Sequence, residues 1–152
     1  MSPIRFYLLA GFDPRLGTGK FSEENLRYVW NNLVVNKFGN LLSRALHLID
    51  TREVDVRGSA VRETNILDKI DRYEYKEAFA EITSILDEAN QLINDKKPYD
   101  VNSTDYKEVL RSVYSSIKAV SSFFCTAIPE YADHIQEALN YPRKTVLFKV
   151  LK

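Results

Sequence analysis

Apolar residues recur every three or four positions through most of this chain, and that spacing predicts helices with one buried face. The first long stripe begins after Ser22, a residue type that often caps helices, and continues to about Asp50. Two more long stripes cover residues 78–95 and 106–124. Shorter helices are predicted at residues 2–10, around 66–70 and at 129–139. The first long stripe consists of Leu26, Trp30, Leu33, Leu41, Ala45, Leu48 and Ile49.

Three segments interrupt the helical pattern. Residues 11–20 contain three glycines and one proline, which predicts a loop, and residues 51–64 predict an exposed connection. Residues 144–152 alternate β-branched and basic positions, which predicts an extended tail. Since every other element is helical and each long helix has one apolar face, we expect an all-α protein folded as an antiparallel α-helix bundle.

Composition restricts the possible classes of protein. The chain has 152 residues, of which 45% are hydrophobic and 28% charged, as in an ordinary single globular domain. Twenty-one basic residues balance twenty-one acidic ones, so a nucleic-acid partner would have to be bound by local patches. No segment approaches the roughly 20 consecutive apolar residues of a membrane span.

The residues that usually carry catalysis form no convincing set. Cys125 is the only cysteine, which excludes an internal disulfide and favours a reducing compartment. His47 and His134 are expected on helix surfaces, and Glu130 with His134 lacks the partner set of a di-metal bundle. The GTGK sequence at 17–20 is followed by phenylalanine instead of serine or threonine, so it is not a phosphate loop. The sequence predicts no catalytic centre.

Residues 36–46, NKFGNLLSRAL, combine unusual features for a helix interior. Gly39 weakens a helix by about 0.5–1 kcal/mol relative to alanine. Asn40 and Arg44 lie one turn apart on one face, and both side chains can form paired hydrogen bonds to base edges. The missing side chain of Gly39 could admit a helix or a nucleotide. The pattern also fits an ordinary core glycine beside a surface arginine.

Five segments, in order, resemble parts of the methionyl-tRNA synthetase family. Residues 2–26 are similar to the segment after the catalytic core of that family, and residues 36–49 to its anticodon-binding helix. Residues 78–100, 123–139 and 146–152 resemble its later helices and its tail. The resemblance implies the anticodon-binding helix bundle of class I aminoacyl-tRNA synthetases.

The resemblance also implies an RNA-binding site. The anticodon-reading asparagine and arginine of the family correspond to Asn40 and Arg44, and its stacking tryptophan corresponds to Tyr99. Tyrosine keeps a flat aromatic face with less area. Pro98 would stiffen the turn, and the two lysines before it are placed for phosphate contact. The implied RNA-binding residues are Asn40, Arg44, Lys96, Lys97, Pro98 and Tyr99.

By the same resemblance, the parent protein would be a methionine–tRNA ligase that uses ATP and magnesium. This chain lacks the His-Ile-Gly-His signature, and Met1, its only methionine, leaves no place for a Lys-Met-Ser-Lys-Ser loop. We therefore expect it to be inactive alone and to bind no cofactor. Residues 1–21 are expected to be a remnant of the segment linking to the catalytic domain, 22–142 the anticodon-binding bundle, and 143–152 a basic C-terminal tail.

The expected partners are the tRNA anticodon stem–loop and the catalytic domain of the parent, with no DNA or membrane, in the cytoplasm or the mitochondrial matrix. Two alternatives remain open. One is a helical protein-interaction module that kept this fold but lost RNA binding, for which the neutral charge and Tyr99 leave room. The other is the anticodon domain of an isoleucyl- or valyl-type synthetase, although those enzymes usually have Trp-Asn where this chain has Gly39 and Asn40.

Overall fold

The computed structural model describes residues 2–11, 21–143 and 146–152. Every regular element in these ranges is helical, so the prediction of an all-α bundle is confirmed. Residues 12–20, most of the predicted first loop, lie outside the described ranges. The elements are α1 (Ser2–Gly11), α2 (Glu23–Val29), a π-helix (Trp30–Gly39), α3 (Asn40–Thr51), α4 (Ile66–Asp71), α5 (Tyr75–Lys96), α6 (Tyr106–Ala127), a 3-10 turn (Pro129–Tyr131) and α7 (Ala132–Asn140).

The first long helix begins where the sequence predicts, because the Ser22 hydroxyl accepts a hydrogen bond from the Asn25 backbone N–H at 3.3 Å. It continues without a break to Thr51, but its middle third is a π-helix, which the periodicity did not predict. π-Helices usually occur as single turns inside α-helices, so ten residues in this form are unusual.

The buried residues of the π-helix differ from the predicted stripe. The buried positions of this segment recur every four residues, at Trp30, Val34 and Phe38. Leu33, which the predicted stripe included, is only half-buried. The face that the π-helix presents to the bundle is therefore more aromatic than the predicted one.

Aromatic rings from four helices form the centre of the core. Phe38 stacks on Phe124 of α6 with 3.9 Å between the ring centroids. Phe6 of α1 packs edge-on against Phe79 of α5 at 5.6 Å and parallel to Phe124 at 5.8 Å. Helix α1, expected as part of a linking remnant, thus buries a phenylalanine in the bundle; the domain boundary itself stays a prediction.

Helix α3 and the π-helix before it run in the same direction as α5, although the sequence predicts antiparallel packing. Residue numbers rise together along the two helices, and the contacts are Lys37–Asp87, Arg44–Asn94 and Arg52–Asp100. Residues 52–74 return the chain along the length of the bundle, as in other bundles with a crossover connection. The C-terminal ends of α3 and α5 therefore lie side by side.

Residues 146–152, which contain no helix or strand and which we call the C-terminal tail, belong to the segment predicted to be extended. Its backbone is held by side chains of the π-helix. The Trp30 indole N–H donates to the Lys149 carbonyl at 3.1 Å. The Asn31 amide accepts from the Leu151 N–H at 2.8 Å and donates to the Leu151 carbonyl at 3.0 Å.

Gly39 lies under the tail. A Cβ atom built on Gly39 would come within 2.7 Å of Cδ2 of Phe148, closer than real Cβ atoms approach their neighbours. The Phe148 ring is itself 4% exposed and lies 5.1 Å from the Tyr131 ring, so it has little room to move. The helix glycine thus makes room for a ring of the same chain, and the space is not open to a nucleotide. In the described residues, no helix is long and apolar enough to cross a membrane.

Candidate nucleic-acid interface

Helix α3 presents the first two predicted site residues on one face. Asn40 is exposed and its side chain makes no hydrogen bond within the described chain, whereas Arg44 is half-buried. Arg44 donates from Nη2 to Oδ1 of Asn94 on α5 at 3.3 Å. One fork of the guanidinium is therefore fixed by the neighbouring helix.

The turn after α5 carries the other predicted residues. Helix α5 ends at Lys96, and Lys97 adopts the left-handed conformation with φ of 44°, which stops the helix. The Asp100 N–H donates to the Lys97 carbonyl at 2.8 Å and closes the turn. Pro98 is buried and anchors the turn, while the Tyr99 side chain is 53% exposed. This arrangement offers an aromatic face to an external partner.

Arg52, just after α3, joins that helix to the same turn. Its Nη2 donates to the Asp100 carbonyl at 3.3 Å, and its Cζ lies 4.1 Å from the centroid of the Tyr106 ring. Its Nε atom is buried and has no partner among the described residues. The sequence gives no signal for this role, because the contact depends on the parallel packing of α3 and α5.

The two lysines predicted to contact phosphates differ in their surroundings. The Lys96 ammonium lies 3.2 Å from Oδ2 of Asp105, and this hydrogen bond holds the pKa of the Asp105 carboxyl below its usual value. Lys97 is exposed and forms no ion pair within the described residues. Of these two lysines, only Lys97 has no acidic partner among the described residues.

Two of the residues considered for catalysis, His47 and Cys125, have neighbours that are not catalytic groups. His47 is exposed, with Nδ1 3.5 Å from the Thr51 hydroxyl, and His134 is exposed on α7. Cys125 is half-buried, and its sulfur accepts a hydrogen bond from the Gln136 amide at 3.5 Å. In the part of the chain that the structure describes, no group of three His, Cys, Asp or Glu residues could hold a metal ion.

No protein-family model matches the chain. Individual curated proteins do match. The chain is 27% identical to the probable cytoplasmic methionine–tRNA ligase of Dictyostelium discoideum, over 90% of this chain and 21% of that protein. It is 27% identical to the methionine–tRNA ligases of Methanocorpusculum labreanum and Ureaplasma parvum, over 93% and 91% of this chain and 23% and 30% of theirs. The resemblance to methionine–tRNA ligases is confirmed.

The chain spans between about a fifth and a third of the length of these three relatives. The alignments cover nine-tenths or more of this chain. All three of these relatives are methionine–tRNA ligases, and none is an isoleucyl- or valyl-type enzyme.

The contact between Arg52 and the turn leads to a local prediction. In the Arg52→Ala variant, hydrogen exchange at the Asp100 amide should become about fivefold faster, because one hydrogen bond that holds the turn, worth about 1 kcal/mol, is lost. Exchange of amides inside α5 should stay unchanged. As a matched control, Arg62→Ala, which removes an ion pair with Glu88 elsewhere on α5, should not affect Asp100. Equal exchange at Asp100 in both variants would show that Arg52 does not hold the turn.

Proposed function

We propose that this chain is the anticodon-binding region of a methionine–tRNA ligase. The observation that carries the proposal is the side-by-side packing of the C-terminal ends of α3 and α5, linked by the Arg44–Asn94 and Arg52–Asp100 contacts. Because of this packing, Arg44, which can read a base edge, lies beside the last turn of α5, and the turn that follows α5 carries the exposed ring of Tyr99. The similarity to methionine–tRNA ligases supports tRNA as the partner.

In the proposed complex, an unpaired base of the anticodon loop stacks on Tyr99. The free fork of Arg44 and the amide of Asn40 bind base edges, which differ in their pattern of donors and acceptors. Lys97 contacts phosphate directly. Lys96 must first give up its contact with Asp105. We therefore expect Lys97 to contribute more than Lys96 to the general affinity.

The rest of the proposal concerns the whole ligase. It would charge tRNA with methionine using ATP and magnesium, and these steps would take place in a catalytic domain that contacts this bundle. The bundle alone should neither charge tRNA nor need a cofactor, and we propose no DNA or membrane partner. The parent would work in the cytoplasm, or in the mitochondrial matrix if it is an organellar enzyme.

The first test of RNA recognition is the Arg44→Ala variant. It should bind a methionine anticodon stem–loop about 1–3 kcal/mol more weakly, and its preference over anticodon-swapped stem–loops should relax, because a paired contact to a base edge is lost. Equilibrium titrations at one salt concentration measure both effects. Arg72→Ala is the matched control, because this exposed arginine follows α4 directly and its side chain bonds, among the described residues, to the Asp68 carbonyl alone.

The lysines should behave differently from Arg44. Replacing both Lys96 and Lys97 with alanine should weaken the binding of all stem–loops similarly and flatten the dependence of affinity on salt, because phosphate contacts carry no sequence information.

An Arg44→Ala variant with unchanged preference among stem–loops would contradict the base-reading role of Arg44.

A second test concerns the aromatic ring of Tyr99. Tyr99→Ala should lose about 1–3 kcal/mol of stem–loop affinity, the usual value for base–aromatic stacking. Tyr99→Phe should bind nearly as well as wild type and Tyr99→Trp at least as well, because all three keep a flat face. The three titrations are compared at one salt concentration. If phenylalanine is as damaging as alanine, the hydroxyl is the active group; if neither matters, Tyr99 has no role in binding.

A helical protein-interaction module remains the alternative outcome of these tests. This alternative would be favoured if the wild-type protein bound the methionine anticodon stem–loop and the anticodon-swapped stem–loops with the same weak affinity.

A further inference from the structure

A second groove borders Asn40 on the side of the C-terminal tail. One wall is the edge of the π-helix and α3, and the other is the tail itself; the groove encloses about 330 Å³. This volume is at the lower end of the range for small-ligand sites, so it suits a planar group the size of one base. The described lining residues are Val35, Asn36, Gly39, Asn40, Ser43, Val146, Leu147 and Phe148.

The tail wall is fixed before any ligand arrives. Phe148 is buried against Gly39. The Trp30 and Asn31 side chains bind the tail backbone at Lys149 and Leu151. Since the backbone of the tail is bound at several points, the groove does not depend on an induced closure. Preformed walls lower the entropy cost of binding.

The chemistry of the lining indicates what the groove can hold. Asn36, Asn40 and Ser43 supply amide and hydroxyl groups, and none of these side chains forms a hydrogen bond within the described chain. Val146 and Leu147 supply apolar surface on the opposite side. No charged residue is among the described lining residues. Polar edges facing an apolar wall suit an unstacked nucleobase.

We propose that this groove binds a second unpaired base of the anticodon loop, next to the base that Arg44 and Tyr99 would bind. The inference rests on the proposed function, and it assigns the C-terminal tail a direct role in RNA recognition. Asn40 borders both positions and would contact both bases. Asn36 and Ser43 belong to the groove alone, which allows the two sites to be tested separately.

The test combines a groove variant with abasic RNA. Wild-type protein and the Asn36→Ala/Ser43→Ala variant are titrated with the methionine anticodon stem–loop and with versions carrying one abasic nucleotide at each loop position. The variant should bind the intact stem–loop about tenfold more weakly. At one abasic position the wild type should lose a similar factor and the variant should lose nothing more, because the missing base is the one that the groove holds.

Controls separate this proposal from the proposed function. Ser112→Ala/Asn140→Ala removes the same two residue types from exposed positions on α6 and α7, and it should bind every stem–loop like wild type. A groove variant that binds the intact stem–loop like wild type, while Arg44→Ala and Tyr99→Ala bind weakly, overturns the groove proposal and leaves the proposed function intact. The groove proposal is overturned as well if, at every abasic position, the affinity lost through the groove variant adds to the affinity lost through the missing base. Wild-type protein without preference among stem–loops overturns both proposals.

Discussion

Replacing Phe148 with alanine should lower the free energy of unfolding by about 3–5 kcal/mol. The ring is 4% exposed and lies between Trp30, Phe38 and Tyr131, with centroid distances of 6.3, 5.9 and 5.1 Å. Its loss would leave a cavity against the π-helix that the backbone contacts of the tail cannot fill. Urea unfolding followed by far-ultraviolet circular dichroism measures the change.

Two variants serve as controls for Phe148. Val146→Ala, in the same tail but at a side chain that is 79% exposed, should change stability by no more than about 0.5 kcal/mol. Gly39→Ala should cost about 1–3 kcal/mol in the wild type, because its methyl group collides with the ring. In the Phe148→Ala background that cost should fall, because only the 3.0 Å approach of the new methyl group to the Val34 carbonyl oxygen remains. If Phe148→Ala costs no more than Val146→Ala, the tail does not dock as described.

Replacing Phe6 with alanine should cost a similar amount, about 3–5 kcal/mol. Phe6 is 0% exposed, and its ring lies within 6.2 Å of Trp30, Phe79, Phe123 and Phe124, measured between centroids. The same unfolding experiment applies. Leu8→Ala on the same helix is the matched control, because its side chain is 50% exposed and should be nearly neutral. Equal effects would mean that α1 is not part of the core in solution.

Periodicity predicted most of the helices for a simple reason. Helices α5 and α6 are long, regular and buried along one face, so a spacing of three to four residues identifies them directly. The π-helix was missed because three buried residues four apart also fit an α-helical stripe. The sequence therefore predicted a continuous helix but not its winding, and it selected Leu33 instead of Val34.

The candidate site was only partly accessible from sequence. Asn40 and Arg44 share a face because they are one turn apart, which the sequence shows. Their relation to Tyr99 depends on the parallel packing of α3 and α5, and local spacing carries no information about it. For the same reason the roles of Arg52 and of the tail emerged only from the structure. RNA binding by the six predicted residues remains a prediction.

The contacts of Trp30 and Asn31 with the tail have a consequence for how that tail can vary. Both side chains bind backbone atoms of residues 149 and 151, so they recognise a peptide whatever its side chains are. The C-terminal tail therefore behaves as a peptide ligand carried on the same chain as the helix that binds it. Exposed positions such as Val150 are free to change, provided that an aromatic anchor remains at position 148.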